Sequence, residues 1–138
     1  MERFLEAQKR DYAQALREIR AGHKDSHWIW YIFPQLKGLG HSGTAVYYGI
    51  RDLDEAKAYL EEPTLRAHLI EISEALLALP TDDPLEVMGY PDDLKLRSSM
   101  TLFAEADPEC AVFRQVLEKY YGGIPDENTL KLLKKSGS

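Results

Sequence analysis

Residues 26–40 read SHWIWYIFPQLKGLG, Ser26 to Gly40, and hold both tryptophans of the chain together with a tyrosine, a phenylalanine and a histidine. Asp25 or Ser26 can cap a helix here, and Pro34, which has no N–H to give, bounds it near Phe33. If residues 26–33 are helical, His27 and Tyr31 share one face, Trp28 and Ile32 a second, and Trp30 with Phe33 a third. Aromatic residues on all sides cannot all face water, so this helix is buried on most of them. Trp28, Ile29, Ile32 and Phe33 therefore read as core. His27 and Gln35 stand at the two ends, where backbone groups lack helical partners and loops expose side chains. The block is expected to do two jobs, with its middle as core and its ends as site.

Working outward, every neighbouring signal is helical. Leu5, Tyr12, Leu16 and Ile19 recur at helical spacing between Arg3 and Ala21, and Gly22 is a natural stop. Lys37 to Thr44 holds Gly38, Gly40 and Gly43 and reads as a loop, while Ala45 to Arg51 is short, apolar and of ambiguous type. Asp52 caps a helix to Glu62, and Pro63 opens another carried by Leu65, Leu69, Ile72, Leu76 and Leu79. Asp83-Pro84 gives a short turn ended by Gly89, Asp92 or Asp93 opens a helix to about Ala106, and Asp107-Pro108 opens one to Tyr121, halted by Gly122-Gly123. Asp126 caps the last. No stretch alternates with period two. The expectation is an all-α fold, one compact domain over residues 1–135 with about seven helices in mostly orthogonal packing. Residues 136–138 read as a disordered tail or expression remnant.

Composition narrows the function classes. With 138 residues the chain fills one domain around one core. Seventeen basic against 23 acidic residues give a net charge of −6, which disfavours unspecific adhesion to nucleic acid or an anionic membrane. The single cysteine, Cys110, excludes an internal disulfide and reads as a small buried apolar residue. No apolar stretch is long enough for a membrane span, and the amphipathic N-terminus lacks a signal-peptide core, so a cytoplasmic location is expected. His23, His27, His41 and His68 show no metal-ligand spacing. No metal and no cofactor are expected.

Two segments can carry chemistry. Gly38 to Thr44 offers free backbone N–H groups, two hydroxyls and an imidazole, a composition that can cradle an anion, though it matches neither a dinucleotide fingerprint nor a P-loop. Asp92 to Phe103 sets Leu96, Met100 and Phe103 on one face and Lys95, Ser98, Ser99 and Leu102 on the next. The small residues there can permit close helix packing, and Lys95 with Ser98 or Ser99 also has the spacing of a Ser-Lys pair.

The blocks HWIWYIFPQLKGLG, with Ser42, Ala45 and Tyr48-Gly49-Ile50, and then KLRSSMTLF, resemble a family of small bacterial proteins catalogued as domain of unknown function eighteen-ten, some labelled calpastatin. The resemblance runs from about Phe4 to Leu130 and implies a mainly α-helical fold without an established activity. Its motifs mark His27, Trp28, Trp30, Phe33, Pro34, Gln35, Gly38, Gly40, Ser42, Tyr48 and Gly49, and Lys95, Leu96, Ser98, Ser99, Met100, Thr101 and Phe103. Calpain inhibition does not follow, because such inhibitors are extended disordered chains and this composition is that of a packed domain.

The economical reading is that the two polar segments meet in one cleft. There His27 would carry a proton, Lys95 would hold an anion, and Trp28, Trp30 and Tyr48 would form the walls. Gln35, Gly38, Gly40, Ser42, Ser98 and Ser99 would complete the lining. The expected ligand is a flat anionic small molecule such as a nucleotide or nucleotide-sugar, with hydrolysis as one chemistry such a site supports. Two other readings stand beside it: a protein- or peptide-binding module anchored by the tryptophans, and a purely structural hydrogen-bond network. Either a monomer or a homodimer fits.

Overall fold

The first helix, α1 (Glu2–Arg20), sets Glu2 in its first turn and Arg17 and Arg20 in its last, the charge order that a helix dipole favours. It buries Phe4, Ala7, Gln8, Tyr12, Ala15, Glu18 and Ile19 along one stripe. The structure, a computed structural model, describes residues 1–137. After α1 come α2 (Ile29–Ile32), α3 (Gly43–Tyr48), α4 (Leu53–Glu61), α5 (Pro63–Ala78), α6 (Pro84–Met88), α7 (Asp92–Ala106), α8 (Ala111–Tyr121) and α9 (Glu127–Gly137). The fold is all-α as expected. Among the described residues there are nine helices rather than about seven, because the segment from Gly43 to Tyr48 and the turn from Pro84 to Met88 each form a short helix, α3 and α6. Of the tail expected at 136–138, Ser136 and Gly137 belong to α9 and Ser138 lies outside the described residues.

Helix α7 is the hub. It buries nine residues and lies against α2, α4, α6, α8 and α9. Around Phe103 the rings of Tyr59 and Phe113 pack at 5.1 and 5.9 Å, and Phe4 meets Tyr59 edge-on at 5.1 Å. Trp28, Ile32, Phe33, Leu69, Leu76, Leu96, Met100 and Phe103, the residues expected in the core, are all buried. Cys110 is only half-buried, because α8 starts at Ala111, three residues later than Pro108 suggested.

The helix expected over 26–33 shrinks to the single turn 29–32, and the cause is a carboxylate. Glu18 Oε1 accepts from the Asp25 and Ser26 backbone N–H groups (2.8 and 2.9 Å) and from Trp28 Nε1 (2.9 Å), while Oε2 accepts from Ser26 Oγ and Gln14 Nε2. The residues that would have opened a helix bend around Glu18 instead. Burial pushes this carboxyl up. The hydrogen bonds from Ser26, Trp28, the Asp25 amide and Gln14 outweigh burial and bring it down to about 2.

A second buried polar group is matched just as fully. Gln8 donates to Tyr31 O and Tyr59 Oη, both at 2.8 Å, and its Oε1 pairs with His68 Nδ1 at 2.8 Å. Burial disfavours the charged form of His68, which suits a neutral ring giving its Nδ1–H to Gln8. Helix α5 ends on a cation, with Lys119 Nζ donating to the carbonyls of Leu76, Leu77 and Leu79.

The glycine-rich segment is closed at its base. Leu36 and Ile50 form an isolated parallel bridge, with Lys37 N–H donating to Ile50 O (2.8 Å) and Ile50 N–H to Gln35 O (2.9 Å). Inside it α3 starts at Ser42, whose Oγ accepts from Ala45 N–H at 3.1 Å. Gly49 must be glycine for space: an added Cβ would lie 2.7 Å from Lys37 Cβ and 2.8 Å from Lys37 Cα.

Three stability outcomes follow. Trp28→Ala lowers unfolding stability by about 3–5 kcal/mol in denaturant melts, while His27→Ala, at an exposed position, stays within about 0.5 kcal/mol of wild type. Gly49→Ala forces the bridge apart at a cost of about 1–3 kcal/mol. For Glu18 the folded-state pKa lies below its ordinary 4.5, so its contribution is fully present above that value and is lost as pH falls towards about 2. Melts in that window show a shallower pH dependence for Glu18→Gln than for wild type, and parallel curves would refute this account.

Candidate functional site

The short helix α2 delivers Trp30 to the N-terminal turns of α7, and there the two polar segments meet. Lys24 Nζ bonds Asp92 Oδ2 at 2.6 Å and sits 4.8 Å from the centre of the Trp28 ring. Asp92 is thereby committed to Lys24, and its Oδ1 lies 3.8 Å from Lys95 Nζ. Lys95 reaches across Trp30, its ammonium 5.1 Å from the ring centre.

Beside Lys95 lies a cavity of about 280 Å³, lined by Gln35, Leu39 and Gly40 from the loop, Pro91, Leu94, Lys95 and Ser98 around the start of α7, and Asp126 and Asn128 at the start of α9. Thr101 brings α9 to this place: its Oγ1 donates to Arg97 O and accepts from Asp126 N–H at 2.9 Å. Asp126 caps α9, taking hydrogen bonds from Thr129 N–H and Oγ1 through Oδ2. The cavity thus holds one ammonium, two carboxamides, one hydroxyl and a carboxylate whose Oδ2 is already engaged.

Gln35, Gly40, Lys95 and Ser98 come together as the two-segment reading requires. The remaining candidates stand elsewhere, for physical reasons. His27 is exposed and does not line the cavity, since the bend around Glu18 replaces the helical turn that would have aimed it. Trp28 is 1% exposed with its N–H on Glu18, and Trp30 turns its face to Lys95, so neither forms a wall. Tyr48 packs on Phe4 and Tyr31. Ser42 caps α3. Ser99 is fully buried with no partner for its Oγ, and Ser98 donates to Leu94 O at 3.1 Å, so no Ser-Lys pair forms. Gly38, at φ 106°, faces Leu132 of α9 instead.

Leu39, Pro91, Leu94, Asp126 and Asn128 line the cavity and are not among the expected site residues, Asp126 reading only as a cap. Leu39 lay within the quoted block and read as a plain loop residue, and nothing local marks Asn128, because only tertiary contact brings α9 over α7. Among the described residues no three His, Cys, Asp or Glu side chains gather as a metal set, and no helix is long and apolar enough to cross a membrane.

No curated protein matches the chain. The chain is similar to the conserved hypothetical protein Rv1873 from Mycobacterium tuberculosis, whose crystal structure superposes with a TM-score of 0.94. The two share 47% identity over 96% of this chain and 95% of that one. A family model described as protein of unknown function (DUF1810) matches residues 1–133, the span that contains both motif blocks and every wall of the cleft. The chain belongs to that family.

Proposed function

We infer that the protein binds a small anionic metabolite in the cleft between the closed loop and α7, with Lys95 as its charge anchor. The observation that carries this reading is the incomplete neutralisation of Lys95. Asp92 gives its short contact to Lys24 and stays 3.8 Å from Lys95, beyond hydrogen-bond distance, while Asp126 Oδ2 is engaged by Thr129. The Lys95 side chain is 25% exposed, and so reachable, yet it is held in one direction by Trp30. Gln35 and Asn128 supply amides that both donate and accept, the usual means of fixing orientation in a small pocket.

The same geometry trims the expected ligand. Among the described residues no aromatic side chain lines the cleft to stack a nucleobase, and about 280 Å³ suits a compact carboxylate or monophosphate better than a nucleotide-sugar. Hydrolysis loses its support too, because His27 is absent from the lining. A binding role in the cytoplasm is the reading we retain. The structural reading applies to Trp28, Ser42 and Ser98, each committed to a hydrogen bond within the fold.

Thermal-shift screening of small carboxylates and monophosphates tests this. A ligand present at about 100 times its Kd adds about 2.7 kcal/mol of stability. The Lys95→Met variant keeps its own melting temperature close to wild type and loses the shift. An equal shift in wild type and Lys95→Met would remove Lys95 from the site.

A further inference from the structure

We propose a second ligand site at the base of the closed loop, a cavity between that base and the second half of α9 that takes a soluble oligophosphate group. Its volume is about 310 Å³, and its lining is Leu36, Lys37, Arg51, Leu132 and Lys135. Three of these five side chains are cationic and none is anionic. In a chain of net charge −6 such a grouping is the reverse of the surface average, and positive groups gathered in a concavity focus their field on what enters it.

The fold makes the grouping. The Leu36–Ile50 bridge sets Lys37 and Arg51 side by side, each directly following a bridge residue, with Lys37 N–H on Ile50 O. Both side chains bring positive charge to the same edge of the bridge. Helix α9 adds Lys135 one turn beyond Leu132.

The chemistry selects phosphate. Arg51 offers a planar fork of donors and the lysines add point charges, the combination that recognises phosphoryl oxygens. Its Nε rests on Asp52 at 3.1 Å, but that pair is exposed, with Arg51 68% accessible, and such pairs are weak enough to yield to a multivalent anion. Three cations match a di- or triphosphate better than a single carboxylate. This separates the site from the Lys95 cleft, and the proposal does not depend on that cleft being occupied.

The probe is inorganic tripolyphosphate, titrated calorimetrically into the full chain at matched ionic strength. Lys37→Gln/Arg51→Gln removes two cavity cations. Lys9→Gln/Arg114→Gln makes the same charge change at exposed positions on α1 and α8. Wild type, Lys95→Met and the α1/α8 pair are expected to bind one equivalent alike, and the cavity pair about tenfold or more weakly, a change of ~1.4 kcal/mol. Circular dichroism melts establish that the cavity pair is folded, and Arg51→Lys, which keeps charge but loses the fork, stands in if it is not, with a severalfold weaker affinity expected. Absence of binding to wild type overturns the site. Equal weakening in the α1/α8 pair also does, because it reduces the effect to bulk charge. A parallel arm with phosphoinositide-bearing vesicles distinguishes a lipid headgroup from a free oligophosphate. Capture by vesicles without binding of tripolyphosphate overturns the soluble ligand.

Discussion

Glu18 carries a carboxylate into the interior, and five donors converge on it: Gln14 of α1 itself, the backbone N–H groups of Asp25 and Ser26, the Ser26 hydroxyl and the indole of Trp28. An unpaired charge there would be costly, so the chain after α1 is obliged to bend and satisfy it. That bend fixes Trp28 in the core and leaves Lys24 beside its ring. Lys24 in turn fastens Asp92 at the head of α7, and Asp92 lies next to Lys95. The position of the Lys95 ammonium in the cleft thus follows, through four contacts, from one acid on the first helix.

Helical periodicity made much of the fold legible. The stripe of α5 and the cap-then-proline signals at Pro63 and Pro84 lead directly to observed helices, because each rests on interactions within one or two turns. The error over residues 26–33 has the opposite origin. Ser26 is a good cap by type, but its N–H and hydroxyl are claimed by Glu18, eight positions earlier, and local propensity cannot anticipate a buried acceptor from another element. Glu18 itself drew no notice, since an acid on a long amphipathic helix is ordinarily solvated.

The candidate site divides in the same way. That residues around Gln35 and Lys95 would meet was readable because both segments mix polar side chains into apolar runs, and such side chains need partners. Which side chains would reach the cavity was not. Trp28, Trp30, Tyr48 and Ser99 are turned elsewhere by single contacts or by burial, His27 stands exposed outside the cavity, and Asn128 enters only through Thr101 and the start of α9.

The closure of the loop by Leu36 and Ile50 has a consequence for how members of this fold can diverge. A segment whose ends are already joined adds little entropic cost when it grows, only about 0.6 kcal/mol for each doubling of its length. Residues 41–47 are almost entirely exposed, whereas Gly40, Tyr48 and Gly49 make the close contacts that seat the segment. Length and chemistry can therefore change between those anchors while the helical body stays as it is. The chain on either side of that stretch supplies Gln35, Leu39 and Gly40 to the Lys95 cleft and Leu36, Lys37 and Arg51 to the basic cavity. Residues 41–47 are in neither lining, so a longer or shorter insert there leaves the walls of both cavities in place.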